Sequence, residues 1–413
     1  MFRLRHITAG ESHGKALTGI FEGIPAGLPI SSEEIDIELK RRQGGYGRGG
    51  RMKIESDHAE ILSGVRSGRT LGSPIAILIE NKDYKNWQDV MSAEHRAQSI
   101  ELGKITHPRP GHADLAGVMK YGHDDIRNIL ERSSARETAM RVAIGAIAKK
   151  FLSTFNIKIG SYVIQIGSQK LEVRSQNFSG EEFQNIFKKA EKSPVRCPDQ
   201  SVSKKMIKLI DEAIKDGNSL GGIFEVFAIG MPVGLGSHIQ WDRRLDARLA
   251  YALMSIQAIK GVEIGFGFEM SRRFGSEVMD EIFYEPLKPH LIKEGGGGGS
   301  TSEQNIAGFY RNTNFAGGIE GGMTNGMPVV LRAAMKPIPT QRKPLHSVDI
   351  KTKKQVKAVY ERSDICAVPA AGVIGESMVA LTLADAFLEK FGGDSMTETK
   401  RNYKSYLKYI KNY

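Results

Sequence analysis

Cysteine and tryptophan are scarce, two of each in 413 residues. Cys197 and Cys366 form no CxxC pair, which argues against a zinc ribbon or a disulfide framework and suits a reducing compartment, so two free thiols are expected. No segment approaches the ~20 consecutive apolar residues of a membrane span. The opening MFRLRHITAGESHG has no apolar run long enough for a secretory signal. A soluble, cytoplasmic protein with no membrane partner is therefore expected. The P-loop pattern is absent, which removes the usual P-loop NTPase reading. The histidines are scattered, and prolines in His107-Pro-Arg-Pro-Gly-His112 break the helix that an HExxH zinc site needs, so no metal site is expected.

What is present in excess is positive charge and glycine. The formal net charge is +11, and with 40% hydrophobic and 25% charged residues the chain is ordinary globular material that attracts anions. Both excesses meet between Lys40 and Lys53 (KRRQGGYGRGGRMK), which holds six basic residues and five glycines in fourteen positions and no acidic side chain. Glycine lets backbone N–H groups approach a ligand, and arginine forks fit carboxylate and phosphate oxygens in pairs. The alternatives are a solvated basic loop or an RGG-like RNA-binding segment, which would need interleaved aromatic side chains. Gly45-Tyr-Gly-Arg-Gly-Gly50 matches GxGxxG only formally, because it follows a helix where a dinucleotide fingerprint must follow a strand.

The order of elements is mixed. Ser31-Ser32-Glu33-Glu34 opens a helix with a capping box, and Gly44-Gly45 stops it. Pro74–Glu80 reads as a buried strand, and Arg136–Leu152 as a core helix with a small-residue face. Strand patterns at Ile159–Ile166 and Gly222–Ile229 flank a helix at Val202–Lys215. Asp242 is the expected cap of a helix carrying Leu245, Leu249, Leu253 and Ile256, with Gly261 closing it before a strand. The helix-then-strand plan after Arg136 and after Asp242 hints at two similar halves. Gly295–Gly299 reads as a mobile loop, Pro328–Met335 as a strand and Met378–Phe391 as the last core helix. The basic, tyrosine-rich residues 394–413 read as a solvated tail or an appended helix beyond a single domain, 1–393.

Several turns carry chemistry. Gly10-Glu-Ser-His13-Gly14 and Gly111-His112-Ala-Asp114 each place an imidazole in a tight turn, where it can transfer a proton near neutral pH or simply be structural. Arg132-Ser133-Ser134-Ala-Arg136 precedes the small-residue helix and can hold a phosphate there, or can be a serine N-cap with a salt-bridged surface. Asp364 beside Arg362 would be held ionised by that cation and could accept a proton.

Together TAGESHG (Thr8 to Gly14), RRQGGYGRGGRM (Arg41 to Met52), RPGHAD (Arg109 to Asp114), RSSARETA (Arg132 to Ala139), GGMTNG (Gly321 to Gly326), KPIPT (Lys336 to Thr340) and RSDICAVPAAG (Arg362 to Gly372) resemble the chorismate synthase family. The resemblance runs to about Gly393 and implies an α+β fold, a β-α-β sandwich with long helices between two antiparallel sheets and pseudo-twofold halves. It implies a homotetrameric phosphate lyase of the shikimate pathway that makes chorismate from 5-enolpyruvylshikimate 3-phosphate by anti 1,4-elimination. Reduced FMN is the implied cofactor, used without net redox change, with NADPH as a candidate flavin reductant and no nucleic-acid partner. By matching positions, His13 serves the leaving phosphate, His112 protonates the flavin and Asp364 helps flavin N5 take the ring proton. Arg42, Arg48, Arg51, Arg109, Ser134 and Arg136 face the substrate, and Arg42 and Arg48 also match positions assigned to NADP(H). The FMN positions are Arg132, Ser133, Ser134, Gln257, Ala258, Gly321, Lys336, Pro337, Ile338, Pro339, Thr340 and Arg362.

Overall fold

The computed structural model describes residues 3–49, 56–92, 104–173, 175–286, 306–358 and 364–413. Gly295–Gly299 lies outside them. The fold is α+β, and among the described residues two antiparallel sheets, of four and five strands, are the largest. The first contains β1 (Arg5–Ala9) and β2 (Ala16–Glu22), followed in the chain by helix α1 (Ser32–Gln43) and strand β3 (Ile75–Glu80). Its order is β1-β2-β3, with the two-residue strand Glu60–Ile61 at the far edge. Leu17, Phe21, Ile75, Ile77 and Ile79 alternate onto the inner face and are buried, as a period of two requires when only one face is covered. Helix α1 begins as its sequence says it should: Ser31 and Glu34 form the capping box and Gly44 ends the helix.

Helix α2 (Thr138–Ser153) crosses the inner face of this sheet, close enough that a Cβ on Gly19 would lie 2.6 Å from Met140 Sδ. The second sheet consists of β4 (Lys158–Ile166), β5 (Gly222–Ile229), then after helix α3 (Leu245–Met254) β6 (Ile259–Ile264) and β7 (Val329–Met335). The order is β6-β7-β5-β4, with Gln169–Lys170 outermost. Helix α4 (Val368–Phe391) packs on it through Gly372, against Ser161, and Gly375, against Phe224. Its opposite contact is with α2, where a Cβ on Gly145 would meet Ser377 Cβ at 2.4 Å. Glycine costs about 0.5–1 kcal/mol against alanine in a helix. Here it sets the spacing between layers. By length and composition α4 is apolar enough to cross a membrane, but 94% of its apolar window is buried inside the protein.

Glu376 sits in the middle of α4, fully buried, and accepts hydrogen bonds from both terminal nitrogens of Arg41 (2.8 Å each), Lys149 Nζ (2.8 Å), Ser161 Oγ (2.7 Å) and Arg196 (3.1 Å). One carboxylate thus ties α1, α2, α4 and β4. Burial alone would push its carboxyl up; the Arg41 and Lys149 charges outweigh that and hold it well below the usual range.

The chain ends meet. Leu4 donates its N–H to Asp385 Oδ1 at 2.8 Å, and Ala26 exchanges backbone hydrogen bonds with Asp394 and Met396. The appended segment is a helix, α5 (Met396–Lys411), capped by Ser395. Its Tyr403 ring packs on Phe155, Phe387 and Phe391, and Tyr406 donates to the carbonyl of Val233.

Three expected boundaries move. Asp242 lies in a short 3-10 turn, so α3 starts at Leu245 after Arg244 and has no side-chain cap. It ends at Met254, and Gly261 lies inside β6, at a register shift rather than at a helix end. Helix α4 begins ten residues before Met378: Ala370 and Ala371 favour helix, and the close packing of Gly372 and Gly375 on the second sheet offsets the low propensity of glycine. Both cysteines are buried free thiols.

Candidate active site

The turn joining β1 to β2 presents His13. Its backbone N–H donates to Glu131 Oε2 (2.8 Å), and ring atom Nδ1 lies 2.9 and 3.1 Å from the two carboxylate oxygens. Glu131 is buried in the helix Arg127–Ser133, and Arg127 reaches it at 3.4 Å. The ring of Trp87 packs against His13 at 4.1 Å between centroids, and the Arg127 guanidinium lies over the same indole at 5.1 Å. Burial would raise the Glu131 carboxyl; hydrogen bonds and charge from His13, with Arg127, bring it below its ordinary value.

Asn81, at the end of β3, braces this turn. Its amide nitrogen donates to the carbonyls of Gly14 (2.7 Å) and Glu11 (3.2 Å), and its oxygen accepts from Arg136 Nε at 2.9 Å. Arg136 also donates to Asp57 Oδ1 at 2.6 Å, and on the other side Arg42 approaches Asp57 Oδ2 only to 3.7 Å. Arg42 is held by Thr138 Oγ1 (3.0 Å) and the carbonyl of Ala135 (2.9 Å). All three charged side chains are buried, and Arg42 NH1 and Asp57 Oδ2 have no hydrogen-bond partner. Burial lowers Arg42 to about 9, Asp57 counteracting and the Arg136 and Arg48 charges reinforcing the fall. Arg42 and Arg136 thus share Asp57 unequally.

The basic run does not form one continuous cationic strip. Arg41 turns into the core toward Glu376, Arg42 is buried as described, and Arg48 pairs with Asp364 at 2.8 Å, whose other oxygen accepts from the N–H of Gly49 at 2.7 Å. Asp364 was expected beside Arg362; the cation seen on it is Arg48, brought there by a loop 316 residues away in sequence. Arg51 and Arg362 lie outside the described residues. Tyr46, the loop's aromatic, donates to Asp211.

On the next wall Arg109 and His112 share Asp114. Arg109 Nε donates to Asp114 Oδ2 (2.8 Å), His112 Nδ1 contacts Oδ1, and Arg109 also reaches His112 Nδ1 (3.1 Å) and Thr340 Oγ1 (3.2 Å). Burial raises the Asp114 carboxyl, but the His112 and Arg109 hydrogen bonds overcome it and hold it well below the carboxylate range. Lys336 donates Nζ to the carbonyl of Gly111, which closes KPIPT onto the histidine turn. Pro339 lies against Gly111, Pro337 is exposed, and the Ile338 carbonyl accepts from Ser219. The Leu220 N–H next to Ser219 donates to Ile365, adjacent to Asp364.

Gln257 Nε2 donates to Glu137 Oε1 at 2.6 Å, and its Oε1 is buried without a hydrogen-bond partner. Ala258, at φ +67, accepts from the N–H of Lys336. These bonds run from Arg136 through Glu137 to Lys336, Thr340 and Arg109. Exposed Arg132 donates to Thr8 and Gly10, Ser133 returns its hydroxyl to Ile129, and Ser134 accepts from the N–H of Arg136. Gly321 is set apart. It turns the hairpin Ile319–Thr324 beside His238, and its neighbour Gly322 meets Arg244 at the start of α3, whereas Gln257 follows the other end of that helix, about 15 Å on.

The solved structures include a "Crystal Structure of Chorismate Synthase" that matches this chain with a TM-score of 0.77 and 48% identity, over 99% of both chains. The family model described as chorismate synthase matches residues 4–388. The chain belongs to the chorismate synthase family. Relatives of that name include one from Aquifex aeolicus (strain VF5), 56% identical over 413 residues, and one from Geobacter sulfurreducens, 55% identical over 410, each match covering 99% of both sequences. As a member of the family it is a carbon–oxygen lyase that eliminates phosphate from 5-enolpyruvylshikimate 3-phosphate to give chorismate. The family motifs pointed to the histidines and arginines but not to Glu131, Asp57, Asn81 or Trp87, which hold them. Only the adjacency of Glu131 to Arg132 could have drawn notice.

Proposed function

We propose that the anti 1,4-elimination takes place where the turn of His13, the Arg42–Asp57–Arg136 cluster, the Arg48–Asp364 pair and the Arg109–His112–Asp114 triad are joined. The observation that carries this reading is the convergence of buried arginines beside a histidine turn. A substrate with two carboxylates and a phosphate suits such a set, and charge-assisted bonds to arginine strengthen once water is excluded. Arg42, Arg48, Arg51, Arg109, Ser134 and Arg136 would hold it, with His13 giving a proton to the departing phosphate. Arg42 and Arg48 also suit a pyridine dinucleotide phosphate, but one pocket cannot take both anions at once.

The residues present fit FMN. Gln257 Oε1 is a buried acceptor without a donor, and Lys336, Arg132 and the hydroxyls of Ser133 and Ser134 offer cations and polar contacts of the kind a ring edge and a phosphate need. Ala258, Pro337, Ile338, Pro339 and Thr340 complete that wall, and Arg362, outside the described residues, would serve the cofactor with them. Bound in reduced form, the cofactor supplies electron density to the allylic system as phosphate leaves and recovers it afterwards. His112, fixed by Asp114, would hold a proton toward the flavin, and Asp364 would assist removal of the ring proton. NADPH is the reductant we assign to a separate reduction step.

At the level of architecture, α2 and α4 between the two sheets make the layered sandwich with pseudo-twofold halves, residues 1–393 form one catalytic domain, and a cytoplasmic homotetramer is the working assembly. In a tetramer Gly321, remote from Gln257 within one chain, can meet the FMN wall of a neighbour. The test is release of phosphate from 5-enolpyruvylshikimate 3-phosphate by purified protein with reduced FMN under anaerobic conditions. Absence of release overturns the reading.

A further inference from the structure

We propose that Glu131 is a positioning residue for His13, fixing its tautomer so that the proton given to the departing phosphate leaves from Nε2. The inference rests on the reading of His13 as the group serving the phosphate. Three contacts go from one buried carboxylate to one histidine: the backbone N–H at 2.8 Å and ring Nδ1 at 2.9 and 3.1 Å. A carboxylate accepts only, so Nδ1 must carry a hydrogen in both protonation states of the ring. The proton that His13 gains and loses is therefore the one on Nε2. The backbone contact adds what a ring contact alone cannot, because it fixes the Cα of His13 relative to the same two oxygens. Trp87 limits the remaining freedom, packing 4.1 Å from the imidazole.

The charges facing His13 favour the same conclusion. Among the described residues, the helix Arg127–Ser133 contributes Glu131 and Arg127, the latter farther from the carboxylate (3.4 Å) than the imidazole is. The neighbouring segment contributes the neutral indole of Trp87, and the turn itself contributes Glu11, whose side chain lies against Gly14. A carboxylate that accepts at Nδ1 leaves Nε2 as the nitrogen from which a proton can be given to a phosphate. In the elimination the C–O bond to phosphate breaks with its electron pair on oxygen, and the His13 proton goes to that phosphate.

Glu131→Gln, Glu131→Asp, His13→Ala and the double variant Glu131→Gln/His13→Ala, each purified as full chain and checked for unchanged FMN binding, separate the possibilities. Expected for Glu131→Gln is a kcat lowered about 10²-fold with KM within about threefold. The alkaline limb of its kcat/KM profile moves to lower pH, because the lost negative charge no longer supports the imidazolium. Glu131→Asp recovers part of kcat. The double variant is no slower than His13→Ala alone, since a group that acts through His13 has nothing left to position. Full turnover in His13→Ala sinks the assignment of His13 itself. Impaired His13→Ala together with normal kcat and an unmoved pH profile in Glu131→Gln sinks the role of Glu131, as does a further loss in the double variant. A Glu131→Gln protein that fails to bind FMN assigns Glu131 to the fold, and the proposal falls.

Discussion

Arg42 and Arg136 share one buried carboxylate, Asp57, and the sharing is unequal, at 3.7 and 2.6 Å. Removing the carboxylate takes from two buried cations the counter-charge they share, a change that costs about 3–5 kcal/mol when a buried pair is broken. Asp57→Ala should therefore lower the urea midpoint sharply in the free protein, and saturating substrate should recover more stability in the variant than in the native chain. Equal recovery in both would show that substrate does not bind beside these two arginines. A second expectation belongs to His112, whose Nδ1 contacts Asp114. His112→Ala should bind FMN nearly as well as the native chain, by fluorescence titration, while turnover falls at least about 10²-fold, as loss of a proton donor implies. The histidines were legible because each sits in a short local motif. Their supports were not: Glu131 lies 118 residues from His13 and Asp57 lies 79 from Arg136, so only the fold brings them together.

Elements were legible wherever the signal was local. The box at Ser31 and Glu34 and the αL glycine ending the helix Gln200–Asp216 set their boundaries without help from tertiary contacts. Helix α4 was legible only in its second half, because its first half carries Pro369, Gly372 and Gly375, and the packing of the two glycines on the second sheet overrides their weak propensity. The same helix sets the acid stability of the molecule. Glu376 is held below the usual carboxylate range in the fold, so its contribution is complete above the unfolded value of about 4.3 and is lost as pH falls toward the folded one. Urea midpoints measured from pH 6 down to pH 3 should fall steeply below about pH 4.5. In Glu376→Gln the midpoint should be lower at pH 6, with a shallower acid limb, Glu131 and Asp114 accounting for what remains of it.

For the molecule as a whole, helix α5 adds stability rather than chemistry. Tyr403 and Tyr406 cover Phe387 and Phe391 at ring distances near 5 Å, and no residue assigned to the reaction lies on α5. A chain ending at Asp394 should melt roughly 2–4 °C lower by calorimetry, as loss of about 2–3 kcal/mol implies at this size. It should release phosphate at 25 °C at a rate within about twofold of native. Loss of activity at 25 °C with an intact fold would give α5 a catalytic part. The bonds from Leu4 to Asp385 and from Ala26 to Asp394 and Met396 also bear on how the protein is made. At ~5–20 residues per second a ribosome needs about 20–80 s for a chain of this length. Throughout that time the N-terminal strands have emerged, but the helix that clamps them has not. The nascent chain can cover the inner face of its first sheet once α2 emerges, but the backbone groups of Leu4 and Ala26 wait for Asp385, Asp394 and Met396, so closing the N-terminal segment is a late step of folding.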